Sequence, residues 1–374
     1  MNSNNMIFRR DEEYIYKLRR LYESYGYKKF KMGKFEKYDL YLENKSFLRN
    51  ANIITVTDPA GRLLALKPDI TLSIVKNIRA AELPEKVYYN ENIYLPDSSS
   101  GEIKETTQVG LEYIGDLDVR ALAELLVLAS ESLANTGKDY RIAISHLGFV
   151  SEIIDSASVS ETEKEHISEL ISDKNLHGLK DLCTRLELSD IVTDRLCALI
   201  RVCGELFSSI ENAKMFAYND ASKSSLDELS ALANIISSFG LADKFILDFS
   251  VMNDMNDMNY YNGLVFQGFI NGVPKTVLSG GRYDNLVRRF GCKTSAAGFA
   301  VYTDLLSRFH YDESEYDYEV FLQYSEDCDP ISILKMQKDF SDNGKTCIAL
   351  TSEPEKLKYK TKVTMLSDGS VKYE

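Results

Sequence analysis

The sequence predicts an α+β fold: a largely antiparallel sheet flanked by helices, with a helical insertion and a small C-terminal α/β domain. Three observations point there. Candidate strands pair across short polar turns: NIITVT with LLALK around DPAGR, YYNENIYL with TTQVGLEYIG around Asp97 to Gly101, and NYYNGLVFQGFI with KTVLSG around NGVP. Helical patterns gather in blocks, most densely over residues 147–212, instead of alternating with strands. The Gly280-Gly281 pair lacks GxGxxG spacing and no strong helix follows it at once, which argues against a doubly wound dinucleotide fold.

In chain order, residues 9–25 place Tyr14, Leu18, Leu21 and Tyr22 on one helical face, with charges elsewhere. The basic residues from Arg19 to Lys37 read as a solvated face. After the first hairpin, PDITLSIVKNIRAA reads as a helix with Asp69 and Thr71 at its start, where short polar side chains cap. DLDVRALAELLVLASESLAN is a strongly amphipathic helix, and DYRIAIS a strand. Acidic and serine-rich joints such as SVSETEKEH then separate helix after helix, a composition shift marking an inserted module. SSLDELSALANIISSFG is a helix closed by Gly240, and KFILDFSV a strand. GGRYDNLVRRFG turns into a short helix, and AAGFAVYTDLLSRF reads as an edge strand or a helix. Beyond the acidic stretch YDESEYDYE, EVFLQYS, ILKMQKDFSDNG and KTCIAL form a β-α-β unit. The resulting divisions are 1–150 with 222–310 as the core, 151–221 as the helical insertion and 311–374 as the C-terminal domain.

At 374 residues the chain is long enough for two or three domains. A net charge of −13 disfavours broad nucleic-acid or anionic-membrane binding, because phosphates demand a positive surface. The first residues hold no apolar signal core, and no run reaches the ~20 apolar residues of a membrane span. The six cysteines form no CxxC pair, and Cys197 and Cys203 fall in a helical stretch without nearby histidines. Reduced thiols in a cytoplasmic protein, with no metal site, are expected.

The stretch QVGLEYIG raises a functional question. Strand side chains alternate, so Val109, Leu111 and Tyr113 share the face a core wants, and Gln108, Gly110 and Glu112 share the other. An amide and a carboxylate flanking a gap at Gly110 suit a small polar ligand. The alternative is a pair of half-buried polar strand residues without one. Asp69 and Thr71 are open to both capping and binding.

Three segments, LALKPDITLSIVK, TQVGLEYIG and YYNGLVFQGFINGVPKTVLSGGRYDNLV, carry a resemblance. In this order and spacing they resemble the class II aminoacyl-tRNA synthetase core in its histidine-specific form, over residues 8–310. The stretch HLGFVSEIIDSASVSETEKEHISELISDKNLHGLKDL is similar to helices of a paralogous family, the regulatory subunits of short-form ATP phosphoribosyltransferase. The resemblance implies a histidine pocket built from Asp69 and Thr71 (within Pro68 to Thr71), Gln108, Glu112, Tyr260, Tyr261 and Tyr283. Asp69, Thr71 and Gln108 would accept from the ligand ammonium, and Glu112 or Tyr261 would take the imidazole N–H. Gly110 and Gly263 would leave room beside them.

The synthetase also needs arginines to clamp ATP, and the resemblance places Tyr94 (or Leu95), Asn256 and Leu305 at their positions. Tyr302 stands where the family has a glycine that admits the nucleotide. Losing one preorganised donor costs roughly 3–4 kcal/mol in barrier, and three together roughly 10 kcal/mol. Asn, Tyr and Leu cannot replace a guanidinium fork. With Asn256 in place of arginine, the histidine carboxylate has no evident cationic partner, and Arg282 is the nearest basic residue in sequence to Tyr283. The segment MGKFEKYDLY keeps Glu36 of the family's dimer motif but lacks its preceding proline. Residues 311–374 hold 14 acidic and 8 basic residues, a net −6, unlike a tRNA-reading domain.

The resemblance therefore implies a non-catalytic regulatory subunit with no catalytic residue and no cofactor. It would activate the short catalytic ATP phosphoribosyltransferase subunit in histidine biosynthesis and carry feedback by L-histidine. A homodimer within a hetero-oligomer is implied, and tRNA charging is not expected. The alternatives are a histidine–tRNA ligase with displaced arginines and a free-standing sensor of histidine or uncharged tRNA.

Overall fold

The computed structural model describes residues 10–44, 48, 53–77, 84–96, 101–251, 260–307 and 316–374. The turn 97–100 and Asn256 lie outside these residues. The described chain falls into two units, residues 14–306 and residues 10–13 with 307–374.

In chain order the described elements begin with α1 (Arg10–Ser24), β1 (Lys28–Lys29), β2 (Phe35–Lys37), α2 (Tyr38–Glu43), β3 (Thr55–Thr57), β4 (Leu63–Leu66) and α3 (Thr71–Asn77). The long hairpin β5 (Glu85–Pro96) and β6 (Ile103–Gly115) follows, then α4 (Val119–Ala134) and β7 (Tyr140–His146). Next come α5 (Leu147–Asp155), α6 (Glu161–Ser172), α7 (Leu176–Arg185) and α8 (Asp190–Arg201). β8 (Cys203–Glu205), α9 (Leu206–Lys214), α10 (Asp220–Ser238) and β9 (Phe245–Asp248) lead to β10 (Leu264–Ile270) and β11 (Leu278–Arg282). α11 (Asp284–Arg289), β12 (Ser295–Tyr302) and α12 (Thr303–Ser307) complete the run.

Helix starts follow from local chemistry. Asp118 accepts from the Ala121 N–H ahead of α4, and Ser160 with Glu163 closes a capping box on α6. Gly240, at φ +70°, supplies the left-handed residue that ends α10.

Nine strands form one sheet in the order β1-β5-β6-β12-β11-β10-β7-β9-β8. Only β1/β5 and β7/β9 pair in parallel, as the hairpin-rich sequence predicts. β2, β4 and β3 form a separate antiparallel ribbon. The face of the large sheet carrying Val109, Leu111 and Phe299 is buried, with α4 packed across β12, β10 and β7. The register on the opposite face sets the site. Tyr302 lies across from Gln108, and Gln108 from Glu91. Ser279, Ala300, Gly110 and Tyr89 form the next row, and Gly281, Gly298 and Glu112 the third.

The smaller unit holds β13 (Tyr318–Tyr324), α13 (Pro330–Asp342), β14 (Cys347–Leu350), β15 (Tyr359–Met365) and β16 (Val371–Tyr373). Its sheet order is β14-β13-β15-β16, with β13 parallel to both neighbours. Asp329 caps α13 and Pro330 occupies its first turn.

Several expectations need correction. Cys203 is not helical: α8 stops at Arg201 and Cys203 pairs opposite Asp248 at the sheet edge. The backbone leaves the helix through Gly204 at φ +135°, a value open to glycine alone. Residues 295–302 are an interior strand between β6 and β11, not an edge. β15 and β16 were not anticipated, although Tyr359, Thr361, Val363 and Met365 alternate with Lys360, Lys362 and Thr364 as a strand requires. Gly110 leaves no gap for a ligand: a Cβ there would overlap the Tyr89 hydroxyl and the Phe299 carbonyl oxygen. Gly263 makes room for the Arg282 side chain instead.

Candidate functional site

A cavity of about 180 Å³ lies on the Gly298–Glu112 face of the sheet. Asp69 and Thr71 enter from the start of α3, Gln108 and Glu112 from β6, Tyr260 and Tyr261 from the approach to β10, and Tyr283 from the end of β11. All seven sequence-predicted residues line it.

Glu112 is the centre of the arrangement. It is 2% exposed, accepts the Thr71 hydroxyl at 2.8 Å and accepts the Tyr283 hydroxyl at 2.5 Å. Burial pushes its pKa up to about 8; the Tyr283 and Thr71 hydrogen bonds pull down, and the Asp69 charge adds to the rise. The same burial raises the phenols of Tyr89, Tyr260 and Tyr283, so all three stay neutral donors. Gly298 sits directly opposite Glu112, and a Cβ there would collide with the carboxylate oxygen. Gly281, in the same row, gives its Cβ space to the Tyr261 ring. Tyr260 packs edge-on against Tyr261 at 4.7 Å between ring centroids and leans on Tyr283 at 5.8 Å. Three phenol rings and a carboxyl thus close over a floor of small residues.

Asp69 does both things its sequence position allows. Its carboxylate accepts the Leu72 N–H at 2.7 Å, capping α3, and it also lines the cavity.

The positions that the resemblance sets against the synthetase arginines divide. Tyr94 does not line the cavity; its hydroxyl bonds Glu105 at 3.0 Å. The residues of β5 that line it are Tyr89, Ile93 and Leu95, none of them cationic. Tyr94 has the wrong parity on the strand, and Leu95 is the one that faces inward. Leu305 is half-buried against the core. Tyr302 is part of the cavity wall and shares a 2.7 Å hydrogen bond with Ser279. Arg282 points away: its Nε donates to Asp284 at 3.0 Å, and its terminal nitrogens reach Ser295 at 3.3 Å and Glu228 at 3.8 Å. Lys67, only 1% exposed, is held by Glu91 at 3.0 Å. Among the described lining residues there is no lysine, arginine or histidine.

Sequence reasoning missed Tyr89, Ser279 and Gly298. Tyr89 was findable, since it shares parity with Ile93 and Leu95. Gly298 carried no local signal, because only the pairing of β12 with β6 puts it beside Glu112. Among the described residues, no cluster of three or more metal-binding side chains occurs, and no helix is long and apolar enough to cross a membrane.

The histidyl-tRNA synthetase family model matches residues 4–306. An ATP phosphoribosyltransferase regulatory subunit from Clostridium novyi is 31% identical over 312 residues, which cover 80% of this chain and 73% of the relative. A crystal structure from Bacillus halodurans, described as an ATP phosphoribosyltransferase regulatory subunit/histidyl-tRNA synthetase, superposes with a TM-score of 0.80 at 23% identity. That match covers 98% of this chain and all of the other. A chain of the ATP phosphoribosyl transferase (HisG:HisZ) complex from Thermotoga maritima matches with a TM-score of 0.63 at 17% identity, covering 79% of this chain and 97% of that one. At these identities the two structures speak for the fold. From the sequence relatives and the family match together, the chain belongs to the ATP phosphoribosyltransferase regulatory subunit family, built on a histidyl-tRNA synthetase-like class II body.

Proposed function

We propose that this chain is the regulatory partner of a short-form ATP phosphoribosyltransferase catalytic subunit, and that the cavity receives histidine as the feedback effector of histidine biosynthesis. The observation that carries this reading is a small cavity that offers acceptors and aromatic walls but no cation among its described lining residues. Asp69, Thr71 and Gln108 would hold the ligand ammonium, with Glu112, Tyr261 and Tyr283 around the imidazole. Drug-sized ligands occupy cavities of roughly 300–1,000 Å³, so a void of about 180 Å³ suits an amino acid better than a nucleotide. Tyr302 and Leu95 fill wall positions where a triphosphate would need a positive counterpart. The family membership supplies the catalytic partner, and the resemblance to class II bodies supports a homodimer inside the hetero-oligomer. Histidine would act by binding one state of the assembly better than the other.

The test is phosphoribosyl transfer by the catalytic subunit, with and without this chain, across a histidine titration. Activation that histidine reverses is the expected result. Absence of activation at every histidine concentration would reject the reading. Histidine-dependent ATP–pyrophosphate exchange by the chain alone is expected to be undetectable, and a clear signal would favour a ligase.

A further inference from the structure

The cavity is one-sided in charge. Asp69 and Glu112 bring two carboxyl groups to it, and the rings of Tyr260, Tyr261 and Tyr283 close around them. Among the described residues, the basic groups adjoining lining residues in sequence are committed elsewhere: Arg282, beside Tyr283, to Asp284, Ser295 and Glu228, and Lys67, beside Pro68, to Glu91. At the other end of the cavity floor the polar groups are neutral, namely Gln108, Ser279 and Tyr302.

We propose that this cavity selects a small cationic amine that carries no free carboxylate, so that an imidazole amino alcohol binds it more tightly than the corresponding amino acid. The inference rests on the reading that the cavity takes a histidine-like ligand. An ammonium gains from the carboxylates and from the aromatic faces, which attract cations. A ligand carboxylate gains nothing comparable. It leaves water with no guanidinium or ammonium among the described lining residues to meet it, and it enters beside the Asp69 carboxylate, a group of its own sign. A hydroxymethyl group in the same place needs only neutral partners, which Gln108, Ser279 and Tyr302 can supply. Glu112 fits this picture: burial, with no cation among the described lining residues, holds its carboxyl protonated near neutral pH, and an entering cation supplies the charge it lacks.

Calorimetric titration of the full chain compares L-histidine, L-histidinol, L-histidinamide and 3-(imidazol-4-yl)propionic acid. The expected order places histidinol and histidinamide at least about tenfold tighter than histidine, with the amine-free acid not binding. A Leu95→Arg variant, which adds a guanidinium at the half-buried cavity wall, should shrink or invert the histidinol-to-histidine ratio. Histidine binding as tightly as histidinol to the parent chain would overturn the inference. If histidine also reverses activation of the catalytic subunit in that case, the proposed function stands and only the selectivity argument falls. Failure of all four compounds to bind would remove both the selectivity and the effector role of the cavity.

Discussion

Replacing Glu112 with glutamine isolates the proton that the cavity holds. In the folded chain this carboxyl is 2% exposed and its pKa is pushed up to about 8, against an ordinary value of 4.5. The folded state therefore binds the proton more tightly than the unfolded state does. The stability this contributes is fully present below the unfolded pKa and is lost as pH rises through the folded one. Inside that window each pH unit is worth about 1.4 kcal/mol. Between pH 5 and pH 8 the parent should lose about 4 kcal/mol relative to Glu112→Gln, whose amide does not titrate. Other titrating groups are common to both chains and cancel in the difference. The chain has no tryptophan, so urea unfolding at several pH values is best followed by circular dichroism. Stability differences that stay constant across the range would refute the argument, because they would mean that Glu112 is ionised in the folded chain despite its burial.

Gly298→Ala places a methyl group against the Glu112 carboxylate and should cost about 1–3 kcal/mol together with ligand binding, read by thermal melting and calorimetry. Asp69→Asn keeps a competent cap on α3, so its melting temperature should match the parent while amine binding weakens at least about tenfold; Asp69→Ala should in addition lose about 1 kcal/mol. Lys67→Ala strands Glu91 and should cost about 3 kcal/mol, near the lower end for a broken buried pair because Glu91 keeps some solvent. Pairing Lys67→Met with Glu91→Gln should recover most of that loss in denaturant titrations.

Much of the architecture was readable because it depends on short-range rules. The cap at Asp69, the stop at Gly240 and the β3–β4 hairpin each follow from a few neighbouring residues. The alternation in β6 separated Val109 and Leu111 from Gln108 and Glu112, and the resemblance then gathered the seven candidate residues that line one cavity. The period of a strand is local, but its register and its neighbours are not. Glu112 and Gly298 are 186 positions apart, and only the β6–β12 register makes them touch. The same pairing rules turned Tyr94 away from the cavity and Leu95 into it, and filled the space beside Gly110 with Tyr89. The amino-acid sequence determined which chemical groups were available to the cavity. The tertiary structure decided their electrostatics, because desolvation of Glu112 and the diversion of Arg282 to Asp284 arise only when distant strands and loops pack together.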